Sequence, residues 1–218
     1  MINIEDTEVM GFRKAIKGMR NAMNSWDKST SYMYYPSSDE NGNYGYWENE
    51  PEFIIGESDM ELAKRLIKAG SPDRKFMRMI HVQADVTAPL YWWKEYDTYK
   101  VGTTANSCST MHKIQAKEFT LDDFSHDHLD REIVYNYMKP AIEGLNLFRT
   151  QYNTTKDKIY WWQMIQLLPS SYNQLRTIDL DYETLFSIHH QRKNHKLDEW
   201  KRFCEWIEEL PYMKEFLS

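Results

Sequence analysis

Between positions 76 and 86 the apolar residues fall on even numbers, Phe76, Ile80, Val82, Ala84 and Val86, interrupted only by Arg78. A period of two buries one face of a strand, so this run needs a layer of other elements to cover it. The chain supplies that layer in helical stripes. Val9, Phe12, Ile16, Met19 and Met23 predict a helix over residues 8–24, with Asp6 or Thr7 as its cap. Ser58 and Glu61 form a capping box for a helix through Lys68, and Gly70 stands at its end. Ile133, Tyr137, Ala141, Leu145 and Phe148 continue as a long helix that Pro140 must kink or split. A helix over 156–168 stops at Pro169, and Asp181 caps another through Gln191. Leu197, Trp200, Phe203, Cys204, Ile207 and Leu210 draw a last one before Pro211. Residues 26–51 turn to Ser, Tyr, Asn and Gly, and Asn41-Gly42 between tyrosine-rich flanks signals a loop or hairpin over about 26–52. FTLDDFSHDHLD, ending at Asp130, reads as a polar linker. The pattern is that of a mostly helical α+β chain.

With 41% hydrophobic residues among 218, the chain can bury a sizeable core, and one domain over 1–218 is expected. The net charge of -6 gives no basic field of the kind that drives nucleic-acid binding, although a nucleotide needs only a local patch. No stretch of 18 apolar residues spans a membrane, and MINIEDTEVMGF has no signal-peptide character, so a soluble cytoplasmic protein is expected. Cys108 and Cys204 cannot build a disulfide framework, which fits a reducing compartment.

The stretch APLYWWKEYDTYKVGTTANSCSTMH, Ala88 to His112, follows the strand directly. Ahead of it stand Gly18-Met19-Arg20 with Ser25 and Ser29, then Ser71-Pro72. Behind it stand Ile165-Gln-Leu-Leu-Pro169 and Asp181 to Lys201. In order and spacing these blocks resemble the flavin-dependent thymidylate synthases, the ThyX family. That family carries Ala-x-Arg…Ser, then Ser-Pro-Phe-Glu-His, then Ala-Pro leading to Arg-Gln, Arg-His-Arg and Ser-x-Asn-Glu-x-Ser-x-Arg. Lys94-Glu95 occupy the Arg-Gln pair and Tyr99-Lys100 fall at Arg-His-Arg. Asn106 and Ser109 match, Ser107 takes the place of the Glu, and Met111 that of the last Arg. Ile165 replaces an Arg four residues before a Leu-Pro proline. Asp181, Glu183 and Ser187 stand at the flavin-holding Asn-x-Arg-x-x-x-Asn series, Arg192 at the Arg that contacts uracil, and Glu199-Trp200-Lys201 at Glu-Ile-Arg.

The resemblance implies a central antiparallel sheet and a homotetramer with sites between subunits. It also implies a pyrimidine nucleotide such as dUMP as ligand, with FAD as cofactor. NADPH and methylene-tetrahydrofolate enter only if the family's reductive methylation is kept. Arg192 would polarise the base. Asn106, Ser107, Ser109 and Glu199 would line the substrate. Arg74, Lys75, Lys94, Lys100, Asp181 and Ser187 would meet the cofactor, the cations replacing lost arginine forks. The alternative is a catalytically inactive protein of the same fold, used for nucleotide sensing or protein interaction. The family's occurrence in phage genomes makes a phage origin a matter of resemblance alone.

Other clusters have plainer readings. Cys108 between two serines is a candidate nucleophile or simply a small residue. His126-Asp127-His128 with Asp130, and His189, His190 and His195, have metal-like composition, but their positions suit caps and helix faces, and no metal is expected. Tyr32, Tyr34, Tyr35, Tyr44, Tyr46 and Trp47 suit an oligomer interface better than base stacking. Trp92-Trp93 and Trp161-Trp162 read as core and interface anchors.

Overall fold

The computed structural model describes residues 2–35 and 51–218. Its centre is the alternating strand, β4 (His81–Pro89), which buries Val82, Ala84, Val86 and Ala88 on one face. Four antiparallel strands form the sheet in the order β1-β4-β6-β5, where β1 is Asn3–Met10, β5 Thr103–Ser107 and β6 Asn173–Asp181. Helices cover the apolar face. The other face carries a polar ladder in which Asp179 accepts from Gln83 (2.8 Å) and pairs with His81 (2.8 Å), while Thr177 donates to Asp85. The α+β, mostly helical class with a central antiparallel sheet is as expected.

Several elements differ from the periodicity reading. The strand begins at His81 because Arg74–Met79 is a 3-10 helix, which places Arg78 outside the sheet. The expected helix over 8–24 is a strand followed by the shorter helix α1 (Phe12–Met19). Gly11 separates them at φ 104, where a Cβ would lie 2.1 Å from the Met79 carbonyl oxygen; neither Asp6 nor Thr7 caps the helix. A register shift between Glu5 and Glu8 breaks the alternation of β1 and hides it from a period-two search. The helix α2 (Glu57–Ala69) ends at Gly70 as expected, but the Ser58 hydroxyl donates to the Lys28 carbonyl instead of closing a capping box. β2 (Tyr32–Tyr34) and β3 (Glu52–Ile54) pair antiparallel; Asn41-Gly42, Tyr44, Tyr46 and Trp47 lie outside the described residues.

The remaining elements follow their sequence signals closely. The short helix α3 (Leu90–Tyr96) presses Trp92 and Tyr96 against Trp200 and Phe203 of α8 (Asp198–Glu209), with Trp92 and Trp200 centroids 4.8 Å apart, while Trp93 turns to β6. Pro140 has no N–H to offer Asn136, and the chain answers with a π-helical turn over Val134–Met138 between the single turn α4 (Arg131–Ile133) and α5 (Lys139–Thr155). α6 (Lys158–Leu167) pairs with α5 around a second apolar cluster of Ile114, Phe119, Phe124, Ile142, Leu145 and Met164. Phe119 and Phe124 anchor the expected polar linker in this cluster, while its other residues stay exposed or half-buried. α7 (Tyr182–Arg192) follows β6 without a loop, and α9 (Met213–Leu217) closes the chain.

The Arg20 block is structural. Arg20 and Asp59 are buried and paired, and the second Asp59 oxygen accepts from Ser29 Oγ (2.8 Å), Thr30 N (3.0 Å), Ser31 N (3.0 Å) and Ser31 Oγ (2.6 Å). Burial by itself raises the Asp59 carboxyl, but the bonds from Ser31, Arg20 and Ser29 outweigh it and hold the group below its ordinary 3.8. No helix among the described residues is long and apolar enough to cross a membrane.

Candidate functional site

The chain must turn from α3 into β5 over residues 97–102, and Gly102 lets it do so against the start of α7. Its φ is +71, and a Cβ there would stand 2.2 Å from Asp181 Oδ2 and 2.4 Å from Thr184 Oγ1. Asp181 is the N-cap, accepting from the Thr184 amide at 2.8 Å, and its own N–H donates to the Gly102 carbonyl at 3.2 Å. With the 3-10 helix opposite, these elements enclose an open groove of about 540 Å³ lined by Arg78, Tyr99, Lys100, Asp181, Glu183 and Ser187, among others. Residues from three distant blocks thus meet in one place.

Charge in the groove is committed. Glu183 Oε1 accepts from Arg74 Nε (3.1 Å) and from the Ser71 hydroxyl, and Oε2 accepts from Arg78 Nε, while Arg78 Nη2 donates to Ser71 Oγ at 2.9 Å. Arg74 also lies over the Phe186 ring at 4.9 Å. Burial pushes the Glu183 carboxyl upward, but the bonds from Arg78, Ser71 and Arg74 win and hold it below its ordinary 4.5. The Glu183 side chain is 10% exposed, that of Arg78 53%. Ser187 Oγ donates to the Glu183 carbonyl (2.9 Å) within α7. Lys100 is exposed and makes no ion pair among the described residues. Two carboxylates, Asp181 and Glu183, balance the two cations lining the groove, and such a donor set does not fit the pyrophosphate of a dinucleotide cofactor.

Arg192 lies behind the Tyr99 wall. Its Nε donates to Tyr99 Oη (2.8 Å) and its Nη1 to Glu95 Oε2 (2.8 Å), an oxygen that also accepts from Trp200 Nε1 (3.1 Å) and faces His195 Nε2 at 3.4 Å. The guanidinium rests 4.7 Å from the Trp200 ring centroid. Tyr99 Oη in turn donates to Gln191, which lines the groove (3.0 Å). Arg192 therefore holds the wall in position from behind, its charge met by Glu95.

The other candidates are dispersed. Asn106 and Ser107 are exposed on the edge strand β5, opposite Thr177 and Arg176, and the Ser109 hydroxyl accepts from the amides of Met111 (3.2 Å) and His112 (3.1 Å). Lys94 is exposed in the last turn of α3 and does not line the groove. Lys75 instead lines a separate groove of about 840 Å³ beside α1, with Lys14 and Lys17. Glu199 is buried, accepts from Tyr91 Oη, and borders a third groove with Asp127 and His128. Burial first, then that bond, raises the Tyr91 hydroxyl above its usual range. Among the described residues no three His, Cys, Asp or Glu side chains are grouped to hold a metal. Arg78 had one sequence signal, its intrusion into an alternating apolar run.

No sequence-family profile and no curated protein sequence matches the chain. Solved structures do resemble it. Two structures of thymidylate synthase X from Helicobacter pylori, each with FAD and dUMP, superpose with a TM-score of 0.64 at 12% and 13% identity. They cover 100% and 99% of this chain and 97% of their own. This chain has the ThyX fold. A UMP/dUMP methylase, PolB from Streptomyces cacaoi, bound with 5-Br UMP, superposes with a TM-score of 0.62 at 12% identity, covering 100% of this chain and 94% of its own.

Proposed function

We propose that this chain binds a pyrimidine mononucleotide, dUMP or a close relative, at the groove of its ThyX fold, as a single domain over residues 1–218 that assembles into a homo-oligomer. The observation that carries this reading is the convergence of Arg78, Tyr99-Lys100 and Asp181 to Gln191 on one groove. Fold neighbours solved with dUMP, or with 5-Br UMP, support the choice of ligand class. Lys100 offers a point charge for a single phosphate. Arg192 stands behind Tyr99 and acts on the groove by holding that wall through its bonds to Tyr99 and Glu95. Leu147, Ile159, Trp162 and Leu167 of the α5–α6 pair stay exposed and supply apolar surface for a second copy. Titration calorimetry with dUMP and with AMP tests the reading: saturable binding of dUMP with at least tenfold weaker AMP is expected, and no heat with dUMP up to millimolar concentration overturns it.

A second reading, a nucleotide sensor or interaction protein without catalysis, is favoured by one feature. Arg74, Arg78 and Arg192, the arginines nearest the groove, are each engaged by the chain's own Glu183 or Glu95. FAD enters by resemblance to the neighbours, and for it to bind, the Glu183 cluster would have to open or a partner copy would have to bring cations. Assaying dTMP formation from dUMP with FAD, NADPH and methylene-tetrahydrofolate separates the two readings, since the second predicts none.

A further inference from the structure

We infer that Glu183 is an internal anion that closes the cradle of Ser71, Arg74 and Arg78 to phosphoryl groups, so that the groove selects a mononucleotide over a dinucleotide cofactor. This rests on the nucleotide reading above and names what sets its specificity. The cradle has the form of an anion site: two guanidinium groups and a hydroxyl, from one 3-10 helix and the turn before it, converge on one point. A carboxylate already occupies that point, carried on the first turn of α7 and 10% exposed. Because it is tethered, its effective concentration at the cradle far exceeds that of any dissolved phosphate. A pyrophosphate arriving there would have to displace Glu183 into a groove that already holds Asp181, leaving three negative groups against Lys100 and two arginines. Arg74 cannot swing away freely, since it is packed over Phe186.

FAD fluorescence quenching on the purified protein tests this, with inorganic pyrophosphate as a second probe followed by thermal shift. The wild type is expected to show no saturable FAD binding, while Glu183→Ala, with the cradle vacated, should bind both FAD and pyrophosphate at least tenfold more tightly than the wild type. Glu183→Gln, which keeps the side chain's shape, should gain less than Glu183→Ala. Should Glu183→Ala not fold, the Gln variant and the wild-type titration still decide. Saturable micromolar binding of FAD by the wild type overturns the inference, as does a well-folded Glu183 variant with no gain for either probe. Titrating dUMP into the wild type is read separately, so its failure sinks the nucleotide reading without touching the comparison at Glu183.

Discussion

Two clusters in this molecule use the same chemistry, arginine against carboxylate, and differ in where they sit. Arg20 and Asp59 are buried, with side chains 5% and 0% exposed, and the carboxylate is filled by donors from residues 29–31. Glu183 meets Arg74 and Arg78 at the wall of a groove, and Arg78 is 53% exposed. The first ties α1, α2 and the segment before β2 into one body, whereas the second lies where a ligand would enter. Full burial makes an ion pair part of the scaffold, since removing one partner strands the other charge. Exposure of Arg78 lets water and salt share its charge, so this cluster adds less to the scaffold, while its tethered carboxylate keeps the groove wall filled against a second anion.

The sharpest test of that contrast is Asp59→Ala, expected to cost about 3–5 kcal/mol because it leaves Arg20 charged and buried; chemical denaturation measures it. A loss under about 1 kcal/mol would erase the difference between the clusters. The pH dependence follows. The folded carboxyl of Asp59 lies below 3.8, so its contribution is complete above that value and is lost as pH falls through the depressed folded value. Acid melts of the wild type should therefore steepen below about pH 4, and Asp59→Asn should flatten that limb. Arg192→Ala comes next, at about 1.5–3 kcal/mol, because it unmakes charge-assisted bonds to Glu95 and Tyr99 and a contact with Trp200. Its loss of dUMP affinity has to be read against that loss of stability. Lys100→Ala should change stability by less than about 0.5 kcal/mol while weakening dUMP roughly tenfold, the cost of one charged contact. A Lys100 variant with undiminished affinity would place the phosphate elsewhere.

The sequence was most informative where one local signal governs the outcome. β4 followed from alternation, α7 from the Asp181 cap, and the break before α5 from Pro140. β6, the second central strand, left no such trace, because its inward positions include Gln174 and Arg176. Their polar groups are satisfied only by the folded chain: Gln174 donates to the Cys108 carbonyl (2.7 Å), and Arg176 pairs with Asp97 (2.7 Å) and stacks on Trp93. Lys100, Asp181 and Ser187, singled out by motif spacing, line one groove. What holds them was not legible in the sequence: Glu95 and Arg192 are linked only by tertiary structure, and Arg78 turns to the groove because a 3-10 helix replaces the start of the strand. Lys75, Lys94 and Glu199 carried suitable chemistry in sequence, but the fold takes them elsewhere.

The most direct measurement is a parallel calorimetric titration of dUMP and FAD into the purified wild-type protein. The account predicts saturable heat with dUMP and none with FAD, from a protein without flavin absorbance. A yellow protein, or tight FAD binding with Glu183 in place, would contradict it.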